Sequence, residues 1–270
     1  MKRFLLIFAL LVGALATAAP LLWMVSASLM PTGEAIAVPP RFLPSRVTFE
    51  HYFEMFSRLR LGRSFFNSAF LAISITLISL LFNSMAGYAF ARLRFNGRDR
   101  LFALLIAALA IPVQISMLPL FLLMKWFNLV NSYWGVVIPG MASILGIFLV
   151  RQFMLSIPQD LLDAARIDGA SEWKIYWSIV LPLARPVLVT LAIFTFMNMW
   201  NDFMWPLIIL TDDDKHTLPV AIANLSGEHI ADVELMMASS VLTVTPVLVL
   251  FLALQRYYIA GLMAGGVKGE

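Results

Sequence analysis

The run Phe65-Phe-Asn-Ser-Ala-Phe-Leu-Ala-Ile-Ser-Ile-Thr-Leu-Ile-Ser-Leu-Leu-Phe-Asn-Ser-Met-Ala-Gly-Tyr-Ala-Phe90 contains neither a charged residue nor a proline. A hydrocarbon core of roughly 30 Å is crossed by a helix of about 20 apolar residues, so this run is long enough to span. Only helices and closed barrels satisfy their backbone polar groups in lipid. The run lacks the period-2 alternation of a barrel strand and exceeds its length, so it reads as a helix. Five further stretches of the same character lie near 4–26, 101–123, 132–152, 186–208 and 236–255. They predict an all-α polytopic membrane protein, one domain over 1–270 with six transmembrane helices. Composition agrees: 13% of residues are charged and 61% hydrophobic, against about 25% charged in soluble domains.

The same composition excludes several kinds of chemistry. Cysteine is absent, which removes disulfides, thiolate metal sites and thiol nucleophiles. A formal charge of +3 is too small to point to nucleic acid; membrane lipid is the expected surrounding. A phosphate-binding loop needs Lys-Ser/Thr after its glycines. Gly135 and Gly140 have the spacing, but Met141-Ala142 follow within an apolar run. His51, His216 and His229 fall on separate external loops with no metal-ligand spacing, so they read as solvated loop residues. No catalytic residue, serine triad, metal site or cofactor site is expected.

Lys2 and Arg3 before an apolar run, with Ala14-Leu15-Ala16, resemble the start of a cleaved signal. The apolar residues continue through Pro20-Leu21-Leu22-Trp23-Met24-Val25, longer than a signal core, which favours a retained first helix. Lys and Arg near helix ends set orientation. With the N-terminus inside, Arg92, Arg94, Arg98, Arg100, Arg151, Arg166 and Arg185 are cytoplasmic. The acidic Asp212-Asp213-Asp214 is then external, and both termini are cytoplasmic. The first external loop, 27–64, departs from this rule with Arg41, Arg46, Arg58, Arg60 and Arg63. Trp126, Tyr133 and Trp134 lie where an interfacial aromatic belt belongs.

Between the fourth and fifth spans the chain predicts a hairpin over 156–182. Ser156 and Gln159 have capping-box spacing, and Pro158 suits a first helical turn. Leu161, Leu162, Ala164 and Ala165 gather on one side, while Asp163 and Arg166 point elsewhere. Asp168-Gly169 ends the helix because Gly accepts a positive φ, and Ser171 can cap a second helix running to Pro182. By these features alone the hairpin is a docking element or an interfacial amphipathic segment.

The string Asp163-Ala-Ala-Arg-Ile-Asp-Gly-Ala170, followed by Ile179-Val-Leu-Pro182, resembles the EAA motif of binding-protein-dependent ABC importer permeases. Asp163 stands where that family usually has Glu, which keeps the charge. Asn67-Ser68, Trp200-Asn201-Asp202 and the ending from Gln255-Arg256 to Gly265-Gly266-Val267-Lys268-Gly269 look like the carbohydrate-uptake branch, in particular its maltose-type second permease subunits. The resemblance implies a type I importer permease fold in a prokaryotic inner membrane. Asp163, Ala164, Ala165, Asp168, Gly169 and Ala170 would form the coupling element seated in a separate ATPase. Gly266, Val267, Lys268 and Gly269 would reach toward the ATPase dimer interface, against the plainer reading of a frayed end. It also implies a second permease subunit, two ATPase copies carrying ATP and Mg, and an external solute-binding protein.

Within the fifth span, Asn198, Asn201, Asp202 and Trp205 stand at i, i+3, i+4 and i+7 and are expected on one face. A carboxylate in a span avoids lipid. The face is therefore a translocation pathway bonding sugar hydroxyls, with Trp205 stacking on a ring, or interhelical glue. Asn83 with Gly87, and Ser239 with Thr243, have the spacing of close helix packing. Pro112 and Pro119 are expected to kink the third span, and Gln114 between them could line the pathway. The external loop 211–235 is the candidate contact for the binding protein. The rival reading is a stand-alone secondary carrier or channel, against which stand the 163–182 motif and the lack of internal repeats.

Overall fold

The computed structural model describes residues 2–39, 41–57, 59–228 and 232–266. Every regular element among them is helical: α1 (Lys2–Ala27), α2 (Glu50–Ser57), α3 (Leu61–Arg92), α4 (Arg98–Ala107), α5 (Val113–Trp126), α6 (Tyr133–Gly140) and α7 (Ile144–Met154). There follow α8 (Gln159–Ile167), α9 (Glu172–Ile175), α10 (Leu181–Leu183), α11 (Arg185–Trp200), α12 (Met204–Ile209), α13 (Leu218–Glu228) and α14 (Val233–Gly266). Among the described residues four helical stretches, α1, α3, α6 with α7, and α14, are long and apolar enough to cross a membrane, and up to six spans result if each of two bent pairs counts as one. The chain groups into two compact units, 1–66 with 217–249, and 67–216 with 250–270.

In the first unit, α1 presents its apolar side chains outward, Phe4, Leu10 and Leu15 all being exposed. Near its end Ala27, Met30 and Ala35 form a small core with Trp23, Val233 and Met237. His51 contradicts the expectation of a solvated loop histidine: it is 2% exposed. Its Nε2 lies 2.9 Å from the carbonyl oxygen of Met30, so the ring ties α2 to the loop after α1. Glu34 organises the arginine-bearing loop by accepting from Arg41 at 3.1 Å and from the Ser45 amide at 3.0 Å. Glu234 accepts from the Ala35 amide at 2.7 Å.

In the second unit, two of the predicted spans are interrupted, one at a proline and one where side chains replace backbone partners. The third breaks at Pro112, where α4 with its short 3₁₀ extension and α5 meet at 108°. Proline lacks the N–H an uninterrupted helix needs, and Pro112 instead occupies the N-cap of α5 with Pro119 further inside. The fourth breaks between α6 and α7. Ser143 caps α7 by accepting from the Gly146 amide at 3.0 Å. Asn83 on α3 accepts from the Ser143 amide at 3.0 Å and donates to Ser79 Oγ at 2.7 Å. The close packing expected of Gly87 is present, since a Cβ there would come within 2.7 Å of Val150 Cγ1. Ser239 and Thr243, in contrast, bond back to Leu235 and Ser239 carbonyls of their own helix.

The fifth span differs most from expectation. The segment from α9 through α10 meets α11 at 76°, and α11 ends at Trp200. Pro186 in the first turn of α11 removes a donor where the bend leaves none needed. The predicted continuation to 208 is instead the separate helix α12.

Candidate functional site

The hairpin over α8–α10 is built as expected in outline and differently in detail. Ser156 does not cap α8: its hydroxyl donates to the Phe153 carbonyl at 2.7 Å, and Pro158 holds the N-cap position. Gln159, released from capping, donates to Asp163 Oδ1 at 3.0 Å and accepts from Arg92 at 2.9 Å. Leu162 is fully buried and Ala165 packs against the same core, with Tyr88, Val150, Met154 and Ile175. Leu161, Asp163, Ala164, Ile167, Asp168 and Gly169 point outward. The alanine pair is thus split by the 100° step, and the four apolar residues do not share a side.

The turn follows the expected chemistry. Gly169 has φ +79° with open space where a Cβ would go, and the Ala170 amide closes the turn on the Ala165 carbonyl at 3.0 Å. Ser171 caps α9 by accepting from the Lys174 amide at 3.3 Å. A π-helical turn, Tyr176–Val180, links α9 to α10. Its wider winding frees the Tyr176 hydroxyl to meet Ser84 Oγ at 2.7 Å.

Charged contacts lock the two arms. Arg166 bonds Asp163 Oδ1 at 2.7 Å and Glu172 Oε1 at 2.8 Å. The Tyr88 hydroxyl on α3 donates to Glu172 Oε2 at 2.5 Å. Arg92 donates to the carbonyls of Met154 and Ile157. The Gln159 amide, then the Arg166 guanidinium, hold the Asp163 carboxyl below its ordinary value. The outcome is a rigid bracket mounted on the ends of α3 and α7. Its free face carries Ile167, 86% exposed, beside Asp160, Asp163 and Asp168. Tyr88, Arg92 and Glu172 were not legible as parts of this bracket; Arg92 carried only an orientation signal.

The four residues expected on one helix face do not share one. α11 ends at Trp200, and Asp202 lies in the break, where its Oδ1 accepts from the Trp205 amide of α12 at 3.4 Å. Trp205 is 7% exposed, and its indole N–H donates to the Gly135 carbonyl at 3.0 Å. It is therefore spent on packing α12 against α6 and has no face for a ring. Asn198 and Asn201 are exposed, donating to the Phe194 and Met197 carbonyls at 2.8 Å each. Phe203 holds the N-cap position of α12, and the Asp202 carboxylate braces the turn between α11 and α12.

A second polar cluster holds the 211–216 segment. Asn131, at φ +59°, accepts from the amides of Thr211 and Asp212 and donates to Asp212 Oδ2 at 2.7 Å. Lys215 bonds the Asn131 carbonyl at 3.0 Å and Asp212 at 2.9 Å. Asn67 donates to the carbonyls of Asp214 and His216 and accepts from Tyr133 at 2.8 Å. His216 is buried rather than solvated. Of the tail, Gly266 ends α14; Val267, Lys268 and Gly269 lie outside the described residues, as does His229.

Residues 83–263 match the family described as binding-protein-dependent transport system inner membrane component. The arabinooligosaccharides transport system permease protein AraQ of Halalkalibacterium halodurans is 42% identical over 253 residues, 93% of this chain and 91% of that protein. The diacetylchitobiose uptake system permease protein NgcG of Streptomyces coelicolor is 34% identical, over 92% of this chain and 82% of that protein. Among solved structures, a chain of a bacterial ABC transporter involved in the import of the acidic polysaccharide alginate superposes with a TM-score of 0.83. It is 25% identical and the match covers 95% of this chain and 97% of that one.

Proposed function

The chain belongs to the binding-protein-dependent transport system inner membrane components, and from that premise we propose that it is a membrane-spanning subunit of an ATP-driven importer of carbohydrate, with oligosaccharides the favoured class. The relatives named for arabinooligosaccharides and diacetylchitobiose support that class. The observation that carries the mechanism is the bracketed hairpin. An element that must transmit motion has to be stiff along its own length and free on one face. Here Arg166, Glu172, Tyr88 and Arg92 supply the stiffness, and Ala164, Ile167, Asp168 and Gly169 the free face.

In this reading a separate ATPase, holding ATP and Mg, docks on that face through Asp163, Ala164, Asp168, Gly169 and Ala170, with Ala165 supporting from inside. Exposed Ile167 adds an apolar contact. Closure of two ATPase copies would move two such brackets, one on this chain and one on a second permease, as rigid bodies. The glycine-ended tail would reach the same ATPase pair. An external solute-binding protein would meet the braced 211–216 segment on the opposite face. Asn198 on α11, and Asn201 and Asp202 in the turn that follows it, remain the pathway candidates; Trp205 does not.

Photo-crosslinking from a residue analogue at Ile167 tests the docking face. The expected product is a covalent adduct with the ATPase chain, and uptake that ceases when ATP is depleted with ion gradients intact. A stand-alone carrier gives no adduct and keeps transporting under those conditions.

A further inference from the structure

Where α3 ends at Arg92, the chain continues through Leu93 and Arg94 to Arg98, and this segment faces the hairpin across a cavity of about 660 Å³. Four arginines line it, Arg92, Arg94, Arg98 and Arg166, against two carboxylates, Asp163 and Glu172. Both carboxylates are already engaged by Arg166. Arg92 spends its donors on neutral acceptors, the Met154 and Ile157 carbonyls and Gln159, so no acid cancels its charge. Arg94 is exposed; its charge is felt at Asp163. Arg98 bonds Asp99 and the Leu93 carbonyl and keeps further donors. The cavity therefore holds an excess of positive charge with its guanidinium donors only partly used, a match for a phosphate group.

A second cavity, of about 250 Å³, adjoins the first through Leu93 and Glu172 and is walled by Met85, Ala89, Trp173 and Tyr176. A basic pocket adjoining an apolar one, at the end of a membrane-spanning helix, has the polarity of a phospholipid: phosphate first, hydrocarbon next. Basic pockets beside membrane helices take anionic headgroups on these grounds. We propose that the two cavities together hold one anionic phospholipid, its phosphate at Arg94 and Arg98 and an acyl chain against Met85, Ala89 and Trp173. The lipid would lie against Glu172, the residue that joins the hairpin to α3.

The test uses the complete importer, purified with its partner chains, in nanodiscs of phosphatidylcholine containing a minor share of lipid with brominated acyl chains, which quench tryptophan on contact. Brominated phosphatidylglycerol is expected to quench more than brominated phosphatidylcholine at the same share. The excess should vanish in Trp173→Phe. Each of Arg94→Gln and Arg98→Gln should weaken the apparent affinity for phosphatidylglycerol roughly fivefold. Exchange of chloride for inorganic phosphate at constant ionic strength should leave the excess in place. Equal quenching by the two lipids overturns the proposal, as does an excess that survives both arginine substitutions or one that inorganic phosphate removes. Melting in pure phosphatidylcholine checks folding of the variants; if Arg98→Gln unfolds, exposed Arg94→Gln carries the test alone. Nanodiscs offer the same lipid to both faces, so the result does not depend on orientation or on the transported solute.

Discussion

At the scale of single residues, two glycines predict costs of different origin for one substitution. A Cβ on Gly135 would stand 2.4 Å from the Leu129 carbonyl oxygen and 2.9 Å from Ile209 Cγ1, so α6 cannot yield without moving backbone. Gly135→Ala should cost about 1–3 kcal/mol through overpacking and show as a lowered melting temperature. Gly169 has open space but φ +79°, so Gly169→Ala should cost only the conformational penalty, about 1 kcal/mol. Gly169→Asp adds a third acid beside Asp163 and Asp168 and should abolish uptake while the protein remains folded in the membrane. A residue-level pH effect also follows. The Asn131 amide, then Lys215, hold the Asp212 carboxyl below its usual 3.8. A depressed carboxylate stabilises above its ordinary value, and the contribution is lost as pH falls through the depressed one. The melting-temperature gap between the native chain and Asp212→Asn should therefore be widest near neutrality and close in acid. A gap constant with pH would show that the Asp212 charge does not brace the 211–216 segment.

At the scale of elements, the hairpin shows what a sequence reveals and what it hides. Its turn was legible because Asp168, Gly169 and Ser171 act on neighbours within a few residues. The break at Pro112 was legible for the same reason. The break after Trp200 was not: the apolar run continues to Ile209, and only the fold reveals that Asp202 accepts from the Trp205 amide and that Trp205 turns to Gly135. The spacing of Asn83 and Gly87 points to close helix packing, but the Asn83 partner Ser143 lies 60 positions away, so its role beside the break in the fourth span had no local trace. The bracket itself yields a test. The Arg166 ion pairs have partners about half exposed, and such pairs contribute only about 0–1 kcal/mol. Arg166→Ala should thus barely change the melting temperature, yet loosen α8 from α9. The expected readout is less solute moved per ATP hydrolysed, with the ATPase still bound. An unchanged ratio would mean the hairpin transmits motion without this clamp.

At the scale of the whole molecule, membership of the transport family makes this a multi-pass protein, and sidedness turns on the two bent pairs, α4 with α5 and α9–α10 with α11. α4 and α5 meet at 108°, a geometry open to two topologies. If the pair crosses, the 92–100 segment and Lys125 lie on opposite sides, and six spans return both termini to one face. If it re-enters, Asn96 and Lys125 share a side, and every later segment changes sides relative to 92–100. The absence of cysteine lets single thiols decide. Asn96→Cys, Lys125→Cys, Asp168→Cys and Asp213→Cys all replace exposed side chains, and none touches Gly97, whose φ of +84° would strain a substitute. Six crossings with basic segments inside require an impermeant thiol reagent to label positions 125 and 213 in intact cells. Positions 96 and 168 should react only after permeabilisation. Labelling of 96 with 125 from the same side would reduce the bent pair to a re-entrant loop. Labelling of 168 from outside would place the bracket away from cytoplasmic ATP, and the proposed coupling could not stand.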